Sequence, residues 1–317
     1  MTVQNGNDVV GIHPSEEPQR LDPISSATTQ ASSSTNVRYT PEIEKKYVHR
    51  VYDAIAPHFS STRFAKWPKV ASFLNSLPSG SLILDSGCGN GKYMGLNSSC
   101  FFIGSDVSPS LIQICAQRAH EVLIADAVNL PYRTGFGDAA ISIAVLHHLS
   151  TEVRRKKAIE ELVRIVKRGG LVLITVWARE QEDESLIKKW TPLTQKYVEL
   201  WVGPSCHSKV RRSVSLESIV ETEDVLEKDK CEEEESEYFV PWHLPYHRAE
   251  IGGASAVAVA NGFAKKDDKK GAVVYNRYYH VFAKGELERL ASSVGNAVVI
   301  DHFFDKSNWC VILERTS

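Results

Sequence analysis

The sequence predicts an α/β fold, a mostly parallel sheet of seven strands with helices on both faces and an antiparallel hairpin at the end. Three observations predict it. Short apolar runs alternate with stretches of helical period, a glycine-rich turn follows the first run directly, and two more apolar runs come after the last helical stretch. Runs that are apolar throughout belong to strands buried on both faces by crossover helices. With 317 residues, 43% of them apolar, the chain has enough material for one large domain with insertions.

The elements follow in order. Residues 1–38 are rich in Ser, Thr, Asn and Pro with little apolar periodicity, and are expected to be a disordered tail. From Pro41 the steps Ile43, Tyr47, Val51, Ala54 and Ile55 predict a helix ending near Pro57, and Pro68 to Leu77 predicts a second. Strands are predicted at Leu82–Leu84, Phe101–Ile103, Val122–Ile124, Ala140–Ile143 and Leu171–Ile174. The helix from Thr151 buries Ile159, Leu162, Val163 and Val166, with Gly169-Gly170 expected to stop it. A helix over 285–294 precedes the final pair, Val298–Ile300 and Trp309–Leu313.

Two stretches interrupt this pattern. Residues 205–237 are expected to be an acidic disordered insertion and residues 249–271, small and lysine-rich, a flexible one. The domain reading is therefore a single domain formed by 39–204 and 238–317.

Charge and cysteines narrow the class. The net charge of −2 hides eleven acidic and two basic side chains in 217–237, so that segment carries −9 and the rest of the chain +7. A basic folded part permits a nucleic-acid partner. The six cysteines show neither C-x-x-C pairs nor paired spacing, so neither a zinc ribbon nor a disulfide framework is indicated and no metal site is expected. No signal-peptide core or bilayer-length apolar run is present. The expectation is a cytoplasmic protein, with the nucleus as a second location and no membrane contact.

The glycine turn carries the chemistry. Gly87, Gly89 and Gly91 follow the first strand and its Asp85, where a missing Cβ permits a sharp turn and close ligand approach. A dinucleotide site would place its third glycine at position 92, which is Lys92. The spacing suits a ligand without pyrophosphate, held by its amino-acid end. Asp106 ends the second strand, where a ribose diol is gripped, and Asp126 ends the third, where a carboxylate accepts from an adenine amino group beside the backbone of Ala127. Taken singly, each acid is as readily a cap or turn residue. Together, at the carboxyl ends of successive strands, they predict an S-adenosyl-L-methionine site and a class I Rossmann-like methyltransferase.

Further residues carry a family resemblance. The run from Tyr47 to Arg63, then Trp67-Pro68, resembles the N-terminal signature of the eukaryotic tRNA wobble-uridine carboxymethyl methyltransferases, including the methyltransferase part of their AlkB-type relatives. It continues through Gly87–Tyr93, Gly104–Asp106, Ile141–His148, Phe239–Trp242 and Arg277–His280, almost the whole folded part. Ser86 departs from the apolar residue usual there. The resemblance implies methylation of the carboxylate of 5-carboxymethyluridine at the tRNA wobble position, giving a methyl ester, and a small zinc-binding activator subunit as heterodimer partner. The predicted strand at 121–125 lies at a sheet edge in such a fold, and covering an apolar edge is the role expected of that partner.

Four residues are the substrate-side candidates. Arg63 either grips substrate or forms a surface ion pair. His147 ends the fourth strand on the substrate side, while its neighbour His148 is better suited to a structural hydrogen bond. Arg277 and Tyr279 open the C-terminal block and serve either substrate or fold. Trp242 and Trp309 are stacking surfaces for the flipped base or ordinary core. The basic set Arg154-Arg155-Lys156-Lys157, Arg164, Lys167 and Arg168 either tracks tRNA phosphates or is a solvated face. Arg211-Arg212-Ser213 has the form of a basophilic kinase site. The rival readings are a small-molecule methyltransferase, which needs an apolar substrate pocket, and a non-catalytic cofactor-binding scaffold.

Overall fold

A computed structural model describes residues 37, 39–183, 185–193, 236–249 and 254–317, all within one compact unit, Asn36–Ser317. The tail reading, nearly all of the acidic insertion and Ser213 lie outside the described residues.

The central sheet has seven strands: β1 (Leu82–Ser86), β2 (Phe101–Asp106), β3 (Val122–Ile124), β4 (Gly137–Ile143), β5 (Val166–Trp177), β10 (Ala297–Asp305) and β11 (Asn308–Arg315). Their order is β10-β11-β5-β4-β1-β2-β3, with β1 to β5 parallel and β11 antiparallel to both neighbours. The apolar runs fall on the strands, and in the inner ones burial on both faces accounts for the continuous apolar sequence: Ile83, Ala139, Ala140 and Ile141 are wholly buried.

Helices α2 (Arg50–Thr62), α3 (Pro68–Ser76), α4 (Pro109–Gln117), α5 (Glu152–Ile165) and α8 (Glu286–Ser292) surround the sheet, and a short α1 (Glu42–Glu44) leads through a π-turn, Lys45–His49, into α2. α5 and α8 pack on one face through Ile159, Leu162, Leu287 and Leu290, while α3 covers the other through Val70, Phe73 and Leu74.

Two predicted helix ends shift. α2 runs past Pro57 to Thr62. Pro57 is exposed, and the buried face of Val51, Ile55 and Ala56 keeps the helix seated despite the missing N–H. α5 ends at Ile165, not at the glycines, which lie inside β5. There Gly169 has φ +70°, and a Cβ on Gly170 would stand 2.8 Å from the carbonyl oxygens of Asp138 and Lys167. The pair makes the irregularity between the Gly137 and Ala139 pairings with β5 rather than a helix cap.

The larger difference is a second, four-stranded antiparallel sheet in the order β6-β7-β9-β8: β6 (Thr191–Pro192), β7 (Glu237–Pro245), β8 (Ala264–Asp267) and β9 (Ala272–His280). Segment 249–271, expected as a flexible insertion, instead contributes α7 (Ala254–Ala260) and β8, after a short α6 (Tyr246–Ala249). Its small residues are core contacts: Ala249, Ala258 and Ala264 are buried against Val51, Ile55 and Trp242. In this way the second sheet packs on α2, and β9 brings Arg277 and Tyr279 toward the carboxyl ends of the parallel strands.

The end of β9 is held by a buried ionic clamp. His280, 4% exposed, has Nδ1 2.7 Å from Glu237 and Nε2 2.7 Å from Glu286, and Tyr278 donates its hydroxyl to Glu237. With a carboxylate at each ring nitrogen, both must carry protons. Burial opposes this charge, but the hydrogen bonds His280 donates to Glu237 and Glu286 outweigh it and raise the pKa above its ordinary value. Stability from a raised histidine is complete below its unfolded pKa of about 6.5 and is lost as pH rises through the folded value. Denaturant midpoints should therefore fall on going from pH 6 to pH 9 more steeply in the wild type than in His280→Asn. Parallel profiles would mean that His280 is not charged in the fold.

Candidate active site

β1 ends in the turn that shapes the pocket. Gly87, Gly89 and Gly91 have φ values of +80°, +57° and +76°, a region costly to residues with a Cβ. The N–H groups of Gly87 and Cys88 donate to the Ser105 carbonyl at 2.7 and 2.9 Å, fixing the turn on β2. A Cβ on Gly87 would lie 2.3 Å from Val145 Cγ2. Gly87→Ala is expected to cost about 1–3 kcal/mol in strain, read as a lower melting temperature with weaker cofactor binding by calorimetry; wild-type values for both would contradict this packing.

Of the eleven residues predicted from sequence, ten line one pocket: Asp85, Gly87, Gly89, Asp106, Asp126 and Ala127 at the cofactor end, and Arg63, His147, Arg277 and Tyr279 at the other. Gly91 is the exception. A Cβ on it would meet His120, just past α4, at 2.9 Å and Cys115 on α4 at 3.2 Å, so packing alone requires a glycine there.

The cofactor end is rich in carboxylates. Asp106 accepts from the N–H of Gly89 through one oxygen and from that of Ser108 through the other, both at 2.9 Å. Burial still raises its pKa against those bonds. Asp85 is 2% exposed, and its Oδ2 has no hydrogen-bond partner. Burial and then the charge of Asp106 push it up to about 7, with Lys92 opposing. A carboxylate oxygen left unsatisfied beside a glycine turn fits a cationic amino-acid group, the ammonium end of S-adenosylmethionine. Asp126 is more committed than expected: Val128 N–H donates to one oxygen at 3.1 Å, and Arg154 pairs with the other at 3.1 Å. The buried hydroxyl of Ser86 has no partner, and nothing in the structure accounts for it.

The other end is cationic and aromatic. Arg277 is 6% exposed, its Nε has no hydrogen-bond partner, and no carboxylate pairs with it among the described residues. Its guanidinium lies 4.9 Å from the Trp242 ring and 5.1 Å from that of Tyr279. Burial opposes its charge, and the phenols of Tyr279 and Tyr52 outweigh it. His147, 1% exposed, accepts from the Trp177 N–H at Nδ1 over 3.4 Å. Burial first, then His148 and Arg277, holds it well below the ordinary range, so the ring is neutral with Nε2–H as its donor. His148 is saturated, donating from Nδ1 to the Tyr278 carbonyl and accepting the Tyr52 hydroxyl at Nε2, each at 2.9 Å.

Three readings that the sequence left open are narrowed. Trp242 stands behind the pocket wall, not in it: Arg63 and Arg277 lie over its ring at 5.1 and 4.9 Å, and its Nε1–H donates to His58. Trp309 is away from the pocket, bonded to Glu180 and edge-on to Phe304. The basic set is no phosphate track as a whole, because Arg154 and Arg155 are buried and Arg164 is bound to Glu161 and to the carbonyls of Leu130 and Tyr132.

The sequence reading missed Tyr52, Asn90 and Lys92. Asn90 Nδ2 donates to the carbonyls of Ser60 and Arg63 at 3.3 and 3.0 Å, tying the α2 end to the glycine turn. Lys92 lines the pocket 4.9 Å from Trp67 and is pushed down to about 8 by burial and then Arg63. Its place in the turn was the available signal.

Comparisons with known proteins point to the same class of enzyme. Residues 84–174 match a family described as methyltransferase domain. A tRNA (carboxymethyluridine(34)-5-O)-methyltransferase of Arabidopsis thaliana is 62% identical over 92% of this chain and 86% of its own length. One of Saccharomyces cerevisiae is 36% identical over 88% and 99%. The alkbh8 protein of Xenopus tropicalis, also a tRNA (carboxymethyluridine(34)-5-O)-methyltransferase, is 41% identical over 86% of this chain but only 41% of its own length. Among solved structures, the CcbJ methyltransferase of Streptomyces caelestis shares the fold at a TM-score of 0.51 and 10% identity, covering 85% of this chain and 99% of that one.

Proposed function

The chain belongs to the tRNA (carboxymethyluridine(34)-5-O)-methyltransferase family, and we propose that its pocket methylates the carboxylate of 5-carboxymethyluridine at the tRNA wobble position. The observation that carries this reading is Arg277, a buried cation with no carboxylate partner among the described residues, facing a pocket whose other end suits S-adenosylmethionine. A buried charge is expensive unless paired, and an anionic substrate supplies the pair. The small-molecule rival required an apolar substrate end; here that end holds Arg277, His147 and Arg63.

The cofactor, when bound, supplies a sulfonium methyl. Asp85 would hold its ammonium group, Asp106 its ribose and Asp126 with Ala127 its adenine. The substrate carboxylate is ionised at neutral pH and needs no general base. One oxygen attacks in line while the carbon–sulfur bond breaks, leaving a methyl ester and a neutral thioether. Arg277 and the Nε2–H of His147 hold the other oxygen, because an ion pair to the attacking oxygen would weaken it as a nucleophile. Desolvation by Trp177, Tyr279 and Tyr52 completes the arrangement. The test is nucleoside analysis of tRNA from cells lacking the protein. Accumulated carboxymethyluridine with loss of its methyl ester is expected; unchanged levels of both would sink the reading.

The activator reading rests on β3. It pairs with β2 on one side only, and Ile124 on it is 57% exposed. A small zinc-binding subunit adding a strand there would cover an otherwise open edge. Full solubility and activity of the isolated chain, with no gain from the activator, would count against it. The proposed compartment is the cytoplasm, with the nucleus as a second location; the four described cysteines are free thiols suited to reducing conditions.

A further inference from the structure

The five residues joining α2 to α3, Arg63 to Trp67, form part of the pocket rim, with Arg63 and Trp67 both on its wall. Both ends of the connection are fixed: Asn90 donates to the Arg63 carbonyl at 3.0 Å, and the Trp67 N–H donates to the Tyr93 hydroxyl at 3.3 Å. Between these anchors Phe64 is 73% exposed, the highest value of any large apolar side chain among the described residues. Single exposed apolar residues are common on protein surfaces. Phe64 differs in standing on a braced backbone at the mouth of a cationic pocket.

Its surroundings are positive. Arg63 and Lys66 in the same connection are exposed, as are His247 and Arg248 on α6, and none has a carboxylate partner among the described residues. His58 at the end of α2 feels this crowd: after burial, its charged form is disfavoured by Arg248, Arg63 and His247 in turn, with no carboxylate opposing them. An aromatic face flanked by unpaired cations is the combination that binds single-stranded nucleic acid, the ring taking a base and the cations taking phosphates.

We propose that Phe64 is a stacking platform for a nucleobase beside the wobble uridine, with Arg63, Lys66, His247 and Arg248 holding phosphates of the same loop. The inference rests on tRNA being the substrate. A target base that enters the pocket must leave the loop stack, which strips its neighbour of one stacking partner. Phe64 restores that partner at the rim, so the loop is held open while the carboxylate reaches Arg277.

The experiment uses the full chain and an anticodon stem-loop carrying 2-aminopurine next to the wobble position. Wild type and Phe64→Trp should quench the probe on binding. Phe64→Leu, apolar but without an aromatic face, and Phe64→Ala should quench it weakly and bind the loop roughly 5- to 150-fold less tightly, the range of one lost base–aromatic stack. Quenching and affinity in Phe64→Ala or Phe64→Leu equal to wild type would overturn the platform, as would failure of the wild type to bind the loop. Thermal melting separates loss of stacking from loss of fold, and a misfolded Phe64→Ala leaves Phe64→Leu against Phe64→Trp to decide. The readout needs no methyl transfer: a wild type that quenches the probe but forms no ester would sink the proposed reaction and leave the platform standing.

Discussion

Arg277→Met is expected to abolish most of the methyl transfer while leaving the protein as stable as the wild type or more so. Truncating one partner of a buried charge pair costs about 2–5 kcal/mol, so kcat/KM for tRNA should fall by roughly 30- to 5,000-fold. The fold, by contrast, gains when a buried cation without a carboxylate is replaced by an apolar side chain of similar reach. Arg277→Lys should be intermediate, since a single ammonium keeps the charge but not the planar fork. The decisive observation is the opposite movement of activity and melting temperature. Activity within threefold of wild type would show that the substrate anion is held elsewhere, and a collapse of both would make Arg277 a fold residue.

Arg154→Met should have the largest effect on stability. Arg154, 2% exposed, bonds Glu44 through Nε and through Nη2 at 2.9 Å, pairs with Asp126 at 3.1 Å, and donates to the carbonyls of Val37 and Tyr39. Its removal strands Glu44, 1% exposed, without a cation, at a cost of about 3–5 kcal/mol. The cofactor KM should rise as well, because Asp126 loses the group that holds it. Adding Glu44→Met should recover part of the stability, since the two residues are coupled. Urea unfolding checks both statements; a cost under about 1 kcal/mol would place Arg154 among ordinary surface arginines.

Arg154 also marks where the sequence ceased to be legible. In the chain it stands in a run of four basic residues, the pattern of a solvated or phosphate-binding face. Its partner Glu44 is 110 residues away, and no local pattern records that pairing. The parallel strands were readable because burial on both faces writes itself as an apolar run. The second sheet was not, because β8 exposes both Lys265 and Lys266 and shows the core only Ala264. The same physics explains Gly91: three evenly spaced glycines announce a turn, but which of them lines the pocket depends on α4 and the residues after it, which set Cys115 and His120 against the third. At the substrate end, His147 and Arg277 were found through their positions in the resemblance, whereas Tyr52 was hidden among the core residues of α2, with His148 as its partner. Lys92 could have been found, since an ionisable side chain inside a ligand-binding turn seldom serves packing alone.

The most direct test of the central claim is reconstitution. The purified chain with the proposed activator, methyl-labelled S-adenosylmethionine and tRNA bearing 5-carboxymethyluridine should yield label in the wobble nucleoside as a methyl ester that mild base removes, and tRNA with unmodified uridine there should take up none. Label that resists base, label in both tRNAs, or none in either, would contradict a pocket built around Arg277 to receive a carboxylate.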